Sequence, residues 1–195
     1  MTKLRQTPSQ TVGPYFAYGL SPEQYGYGQN LTSLAGPDMT AGEVEGQRIR
    51  VEGRVFDGMG APIADALIEL WQADASGRYA HPADPRGGNS TFKGFGRCGT
   101  GTDPRNRFWF DTIRPGAVDA VQAPHLNVIV TMRGMLLHAY TRVYFPEEAA
   151  NATDPVLSVV PVERRHTLIA VARGDGVYCF DIHMLGERET VFFDV

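Results

Sequence analysis

Two residues whose types and spacing could do chemistry are His125 and Asn127, in the segment APHLNVIVTMRG from Ala123 to Gly134. Extended backbone alternates its side chains, so His125, Asn127 and Ile129 face one way and Leu126, Val128 and Val130 the other. Residues i and i+2 of a strand lie roughly 6.6 Å apart at Cα, near enough for both to reach one metal ion. A His-x-His pair there would supply half of an iron site, because neutral imidazole suits iron. The chain carries His-x-Asn, and a carboxamide oxygen is a poor replacement for imidazole at a transition metal. The segment has the layout of a metal site with one ligand missing, and the expectation is that it holds no metal.

The elements that must position this strand read as β structure. Ile49, Val51, Gly53 and Val55 alternate with Arg50, Glu52 and Arg54, the pattern of a half-buried strand. Further strands are expected over Ala66–Trp71, Phe108–Ile113, Leu136–Phe145, His166–Ala172, Val177–Met184 and Glu189–Asp194, roughly eight in all with the organising strand. Pro146–Asn151 reads as a short acidic helix or turn, and residues 21–46 as irregular surface with one short helix at most. Residues 74–106 read as a long loop, which inside a compact domain is usually functional. The 22 glycines and 13 prolines punctuate short apolar runs. An all-β fold follows, a two-sheet sandwich with long loops in one domain spanning 1–195. Residues 1–20 form a leading arm. Pro8, Gly13 and Pro14 oppose regular structure, yet Val12, Tyr15, Phe16 and Tyr18 are too apolar for a free tail. The arm is expected to lie on its own domain or on a neighbouring chain.

Composition narrows the classes. A formal net charge of −4 and no basic cluster beyond Arg164–Arg165 argue against a nucleic-acid surface. No apolar run nears the ~20 residues of a membrane span, and the opening MTKLRQTPSQ lacks the apolar stretch of a signal peptide. Two cysteines, Cys98 and Cys179, read as buried thiols in a reducing compartment. The expected location is the cytoplasm. His81, His138, His166 and His183 show no ligand spacing.

A strand ending in Trp71 is followed in order by GRYAHPAD, FGRC, TIRPG, PHLNV and RVYF. This succession, over most of residues 47–195, resembles the intradiol ring-cleavage dioxygenases. The resemblance implies a β-sandwich built for non-haem iron(III), which cleaves catechols between their two hydroxyl-bearing carbons. In that family two tyrosinates and two histidines hold the iron. The first tyrosine falls on Tyr79 and the first histidine on His125; the second tyrosine falls on Val118 and the second histidine on Asn127. An arginine that assists catalysis falls on Gln122. Two of four ligands are therefore gone, and these positions are vestigial, with no catalytic residue and no metal in this chain.

The beginning TPSQTVGPYF and the ending ETVFFDV are similar to the non-catalytic α chain of two-chain family members. That likeness implies a hetero-oligomer with a homologous β chain carrying Fe(III), which cleaves protocatechuate with O2 to 3-carboxy-cis,cis-muconate. It further implies that Arg133 reaches the partner's substrate pocket and that Thr11, Gly13, Pro14 and Tyr15 help to wall it. Two other readings stay open: a self-sufficient iron dioxygenase with unusual ligands, and a small-molecule-binding sandwich with no enzymic partner.

Overall fold

The structure, a computed structural model, describes residues 4–29, 33–86 and 91–195. Among the described residues nine strands run in chain order as β1 (Arg48–Phe56), β2 (Leu67–Trp71), β3 (Phe95–Gly99), β4 (Arg107–Ile113), β5 (His125–Thr131), β6 (Ala139–Tyr144), β7 (Val171–Gly174), β8 (Val177–Cys179) and β9 (Ile182–His183). They form two sheets. One has the order β4-β1-β8-β7, with β9 also on β1; the other has the order β3-β2-β5-β6. Among the described residues there are two short α-helices, α1 (Phe16–Leu20) ahead of β1 and α2 (Pro155–Val159) between β6 and β7.

The alternation along β1 is met by burial of Ile49, Val51, Gly53 and Val55. Across the sandwich Ile68 and Leu70 of β2, Val128 and Val130 of β5, and Val143 of β6 complete the core with Phe108 and Phe110 of β4. Each fully buried side chain of this size contributes about 1.5–3 kcal/mol. The opposite face of the second sheet takes the other alternation. There β2, β5 and β6 align in register, so Trp71, Asn127 and Arg142 form one row across three strands, and His125 stands beside Tyr144. A smaller cluster of Ala123, Tyr144, Leu157, Val160 and Leu168 covers the end of this face nearest His125.

Several expectations change. The loop read over 74–106 contains β3, whose Gly96 and Gly99 break the apolar pattern; a Cβ on Gly96 would meet Met39 Sδ at 2.8 Å. His166–Ala172 is not one strand. Val162–Leu168 winds as a 3-10 helix, Ile169 bridges Tyr144 of one sheet, and β7 then begins in the other. A chain that changes sheets must bend, and the alternation cannot show that. Glu189–Asp194 contributes a single bridge, Phe193 to Tyr140. Pro146–Asn151 yields a 3-10 turn over Ala149–Ala152. The short helix expected within 21–46 sits earlier, as α1, starting just beyond Pro14. α2 was missed, although Asp154 caps it by accepting from the amides of Val156 and Leu157, with Pro155 in its first turn. Cys98 is buried and its thiol is pushed up to about 11 by desolvation, whereas Cys179 is only half-buried.

Candidate functional site

At the start of β5 every position implied by the resemblance is engaged inside the chain. His125 is 3% exposed, and its Nδ1 lies 2.8 Å from Ala123 O. A carbonyl only accepts, so Nδ1 carries the proton and Nε2 holds the lone pair. Burial first, and the nearby Arg142 guanidinium second, push its imidazolium down to about 4. Asn127 does not face His125 as a partner; its Nδ2 donates to Tyr79 Oη at 3.1 Å. Burial raises the Tyr79 phenol, against the opposing effect of that hydrogen bond, so it stands as a neutral phenol. Tyr79 also stacks on Trp71, ring centroids 5.6 Å apart and planes 12° apart.

The loop leading into β5 is held by carboxylates. Asp119 accepts from the amides of Val121 and Gln122 and from Gln122 Nε2. Asp154, 1% exposed, accepts from the amide of Ala123 and from Tyr144 Oη while it caps α2. Val118 contributes only its carbonyl, which accepts from Arg86 Nη1 at 2.7 Å. Gly77 brings the preceding loop against this one: its φ is +76°, and a Cβ there would sit 1.9 Å from Ala117 O.

The residues present do not fit iron(III). Val118 offers no side-chain donor, the Tyr79 hydroxyl already accepts from Asn127, and the remaining imidazole is a single neutral ligand. Among the described residues no three His, Cys, Asp or Glu side chains gather as a metal would require. Sequence reasoning also missed a residue. Arg142 of β6 contacts the position where the resemblance places a guanidinium: its Nη1 donates to Gln122 Oε1 at 3.0 Å. Its signal was the row it shares with Asn127, legible only once the register of β5 and β6 is known.

The other end of β5 is different in kind. Arg133 lies two residues beyond the strand, in the turn toward β6, with its side chain 60% exposed and its Nε on Asp65 Oδ2. It therefore does not project unengaged, yet its terminal nitrogens have no partner among the described residues. The arm lies along this turn: Gly134 N donates to Thr11 Oγ1 at 2.8 Å, and Ser9 Oγ bonds Leu136 O. Tyr15 is 76% exposed, as are Leu136 and Leu137 at 63% and 71%. Gly13 and Pro14 form the exposed bend between Thr11 and Tyr15. The structure thus brings Arg133 and Thr11 to one turn and leaves the aromatic ring of Tyr15 uncovered.

A family model described as Dioxygenase (Dioxygenase_C) matches residues 21–174. Over the full length of both chains, this chain is 53% identical to a protocatechuate 3,4-dioxygenase alpha chain of Burkholderia cepacia. It is 37% identical to the beta chain from the same organism, over 76% of this chain and 69% of that one. The dioxygenase domain of a carbohydrate-binding fusion protein from Streptomyces sp. SirexAA-E superposes with a TM-score of 0.62 at 25% identity, covering 96% of this chain and all of that one. A β-sandwich of this topology, matched end to end by such relatives, belongs to the intradiol ring-cleaving dioxygenase family.

Proposed function

We propose that this chain is the non-catalytic subunit of a two-chain protocatechuate 3,4-dioxygenase, a one-domain sandwich that completes the substrate pocket of an iron(III)-bearing homologous chain. The observation that carries the reading is a ligand set halved to Tyr79 and His125 in a chain that is alpha-like from end to end. The partner would bind the catechol and O2 at its own iron, and the iron would hold the ring in its catecholate form. This chain would supply Arg133 for the ring carboxylate and the Thr11–Tyr15 stretch of the arm as a wall. Guanidinium and carboxylate meet through two parallel hydrogen bonds, which a lysine cannot reproduce. No described helix is long and apolar enough to cross a membrane, in keeping with a cytoplasmic enzyme.

The test is to express the chain alone and with its homologous partner, and to measure iron and ring cleavage in each. The chain alone should bind no stoichiometric iron and cleave nothing, and the mixed complex should do both. About one iron per chain in the isolated protein, with a tyrosinate-to-iron charge-transfer colour, would favour the self-sufficient enzyme instead. Restoring the two ligands with Val118→Tyr and Asn127→His should rescue little, because Arg86 and Gln122 hold the loop through contacts a metal would have to displace.

A further inference from the structure

The outer face of the sheet built on β1 holds more positive charge than its own carboxylates neutralise. We propose that it carries an anion site, in the cleft of about 250 Å³ between the β3–β4 turn and the β7–β8 hairpin, that takes phosphate or a phosphate monoester. This sheet is the one that does not contain β5, and the inference does not depend on the subunit reading.

The argument starts from the strand ladder. Register places Arg54 of β1 directly opposite Arg107 of β4, and like charges in that position are destabilising. The carboxylates across the cleft relieve this only weakly. Arg54 reaches Asp181 at 3.8 Å and Arg107 reaches Glu52 at 3.5 Å, the two longest ion pairs among the described residues. On the same two strands Arg50 holds Asp111 at 2.7 Å. Both long pairs are partly exposed, where ion pairs contribute little.

Two further arginines face the same cleft. Arg173 is the extra residue of a bulge in β7, between the pairs Ala172–Tyr178 and Gly174–Val177, and a bulge re-aims a side chain. Arg105 stands on a turn that Asp103 fixes by accepting from the amides of Arg105 and Arg107. Neither Arg105 nor Arg173 forms an ion pair among the described residues. Four guanidiniums thus line the cleft against two carboxylates, Glu52 and Asp181, and Asp103, paired with Arg107, offsets one charge more. Burial holds the Cys179 thiol above its usual range, so it stays neutral and offsets nothing. The excess stands out on a chain of net charge −4, and a cleft lined by one sign concentrates counter-ions. Guanidinium forks match the oxygens of a phosphate, and the volume leaves room for a small ester group beside it.

The probe is inorganic phosphate, titrated by calorimetry into the protein in the assembled form in which it is isolated, in chloride buffer at fixed ionic strength. The expected result is a saturable site that weakens at least about tenfold when Arg105→Gln and Arg173→Gln are combined, because two charge-assisted contacts are lost. Glu52→Gln removes a competing carboxylate and leaves Arg107 on Asp103, so it should tighten binding about threefold. A gain of this kind cannot come from misfolding. Sulfate should compete and nitrate should not. Glycerol 3-phosphate binding more tightly than phosphate names an ester as the ligand, and weaker binding names the free ion. No saturable binding up to ~10 mM overturns the proposal. Binding that the arginine variants and Glu52→Gln all leave unchanged also overturns it, since the ion would then sit elsewhere.

Discussion

The two ends of β5 have met opposite fates. At the His125 end, donors and acceptors are closed within the chain: Asn127 on Tyr79, His125 on Ala123, Gln122 on Asp119, and Ala123 with Tyr144 on Asp154. At the Arg133 end a guanidinium, two leucines and an aromatic arm face outward. A buried polar group must find a partner or destabilise the fold by about 1–3 kcal/mol, so the polar groups at this end pair with one another inside the chain. An exposed apolar turn carries no such penalty alone and is kept where something covers it. Substitutions at the closed end should therefore cost stability, and those at the open end should cost assembly or turnover.

The largest expected effect is at the open end. Removing residues 4–15 deletes exposed arm and should leave the thermal midpoint of the isolated sandwich nearly unchanged. On the proposal that the arm forms a main part of an obligate interface, which buries more than ~2,000 Å², it should release the partner or abolish turnover. Size-exclusion chromatography showing an intact, active complex would dismiss the arm as an interface element.

Next is Asp154→Ala at the closed end. It removes the α2 cap, worth about 1 kcal/mol, and strands the Ala123 amide and the Tyr144 hydroxyl, each at about 1–3 kcal/mol. A loss of roughly 3–5 kcal/mol in denaturant unfolding is expected, with little change in Michaelis constant for whatever folded complex remains. A loss below ~1 kcal/mol would mean that the loop is not held there.

His125 gives the same end a pH signature. Its folded pKa, about 4, lies below the ordinary 6.5, so between those values the unfolded chain binds more protons. Stability is complete above pH ~6.5 and falls as pH drops toward 4, by up to about 3 kcal/mol. His125→Asn should flatten that part of the curve. Parent and variant profiles that run parallel from pH 4 to 6.5 would show that the imidazole does not drive it.

How much of this was legible in advance follows from what alternation can encode. The faces of β1 and β5 were legible because one face of each is core. β3 was hidden by two glycines, Gly96 packed against Met39 and Gly99 against Tyr25, and the switch of sheets after Ile169 by an unbroken alternation. Asp154–Pro155 was a readable cap signal passed over. Arg142 was not readable, because its meaning lies in cross-strand register. Asp65, far from Arg133 in sequence, was invisible for the same reason.

Arg133→Ala returns to the open end. The Michaelis constant for protocatechuate should rise about tenfold or more in the assembled enzyme, since hydrogen bonds to charged groups are worth about 1.5–3 kcal/mol. Iron content should hold, and a catechol without the carboxylate should be nearly indifferent. Equal effects on both substrates would make Arg133 a packing residue.

The smallest expected effect concerns Asp65, which holds Arg133 by Nε. Its carboxylate orients the guanidinium so that the terminal nitrogens face outward, but it also repels an incoming carboxylate. An asparagine keeps the first action, because its Oδ1 can still accept from Nε, and loses the second. Exposed ion pairs are worth about 0.2–1 kcal/mol, so Asp65→Asn should lower the Michaelis constant for protocatechuate only about two- to threefold. The gain should shrink as salt is raised, since a Debye length near 10 Å at 0.1 M screens charges at this surface. Asp65→Ala, which drops both actions, should show less gain or none. A Michaelis constant that rises in Asp65→Asn at every ionic strength would mean that the ion pair itself, and not its geometry, keeps Arg133 in place.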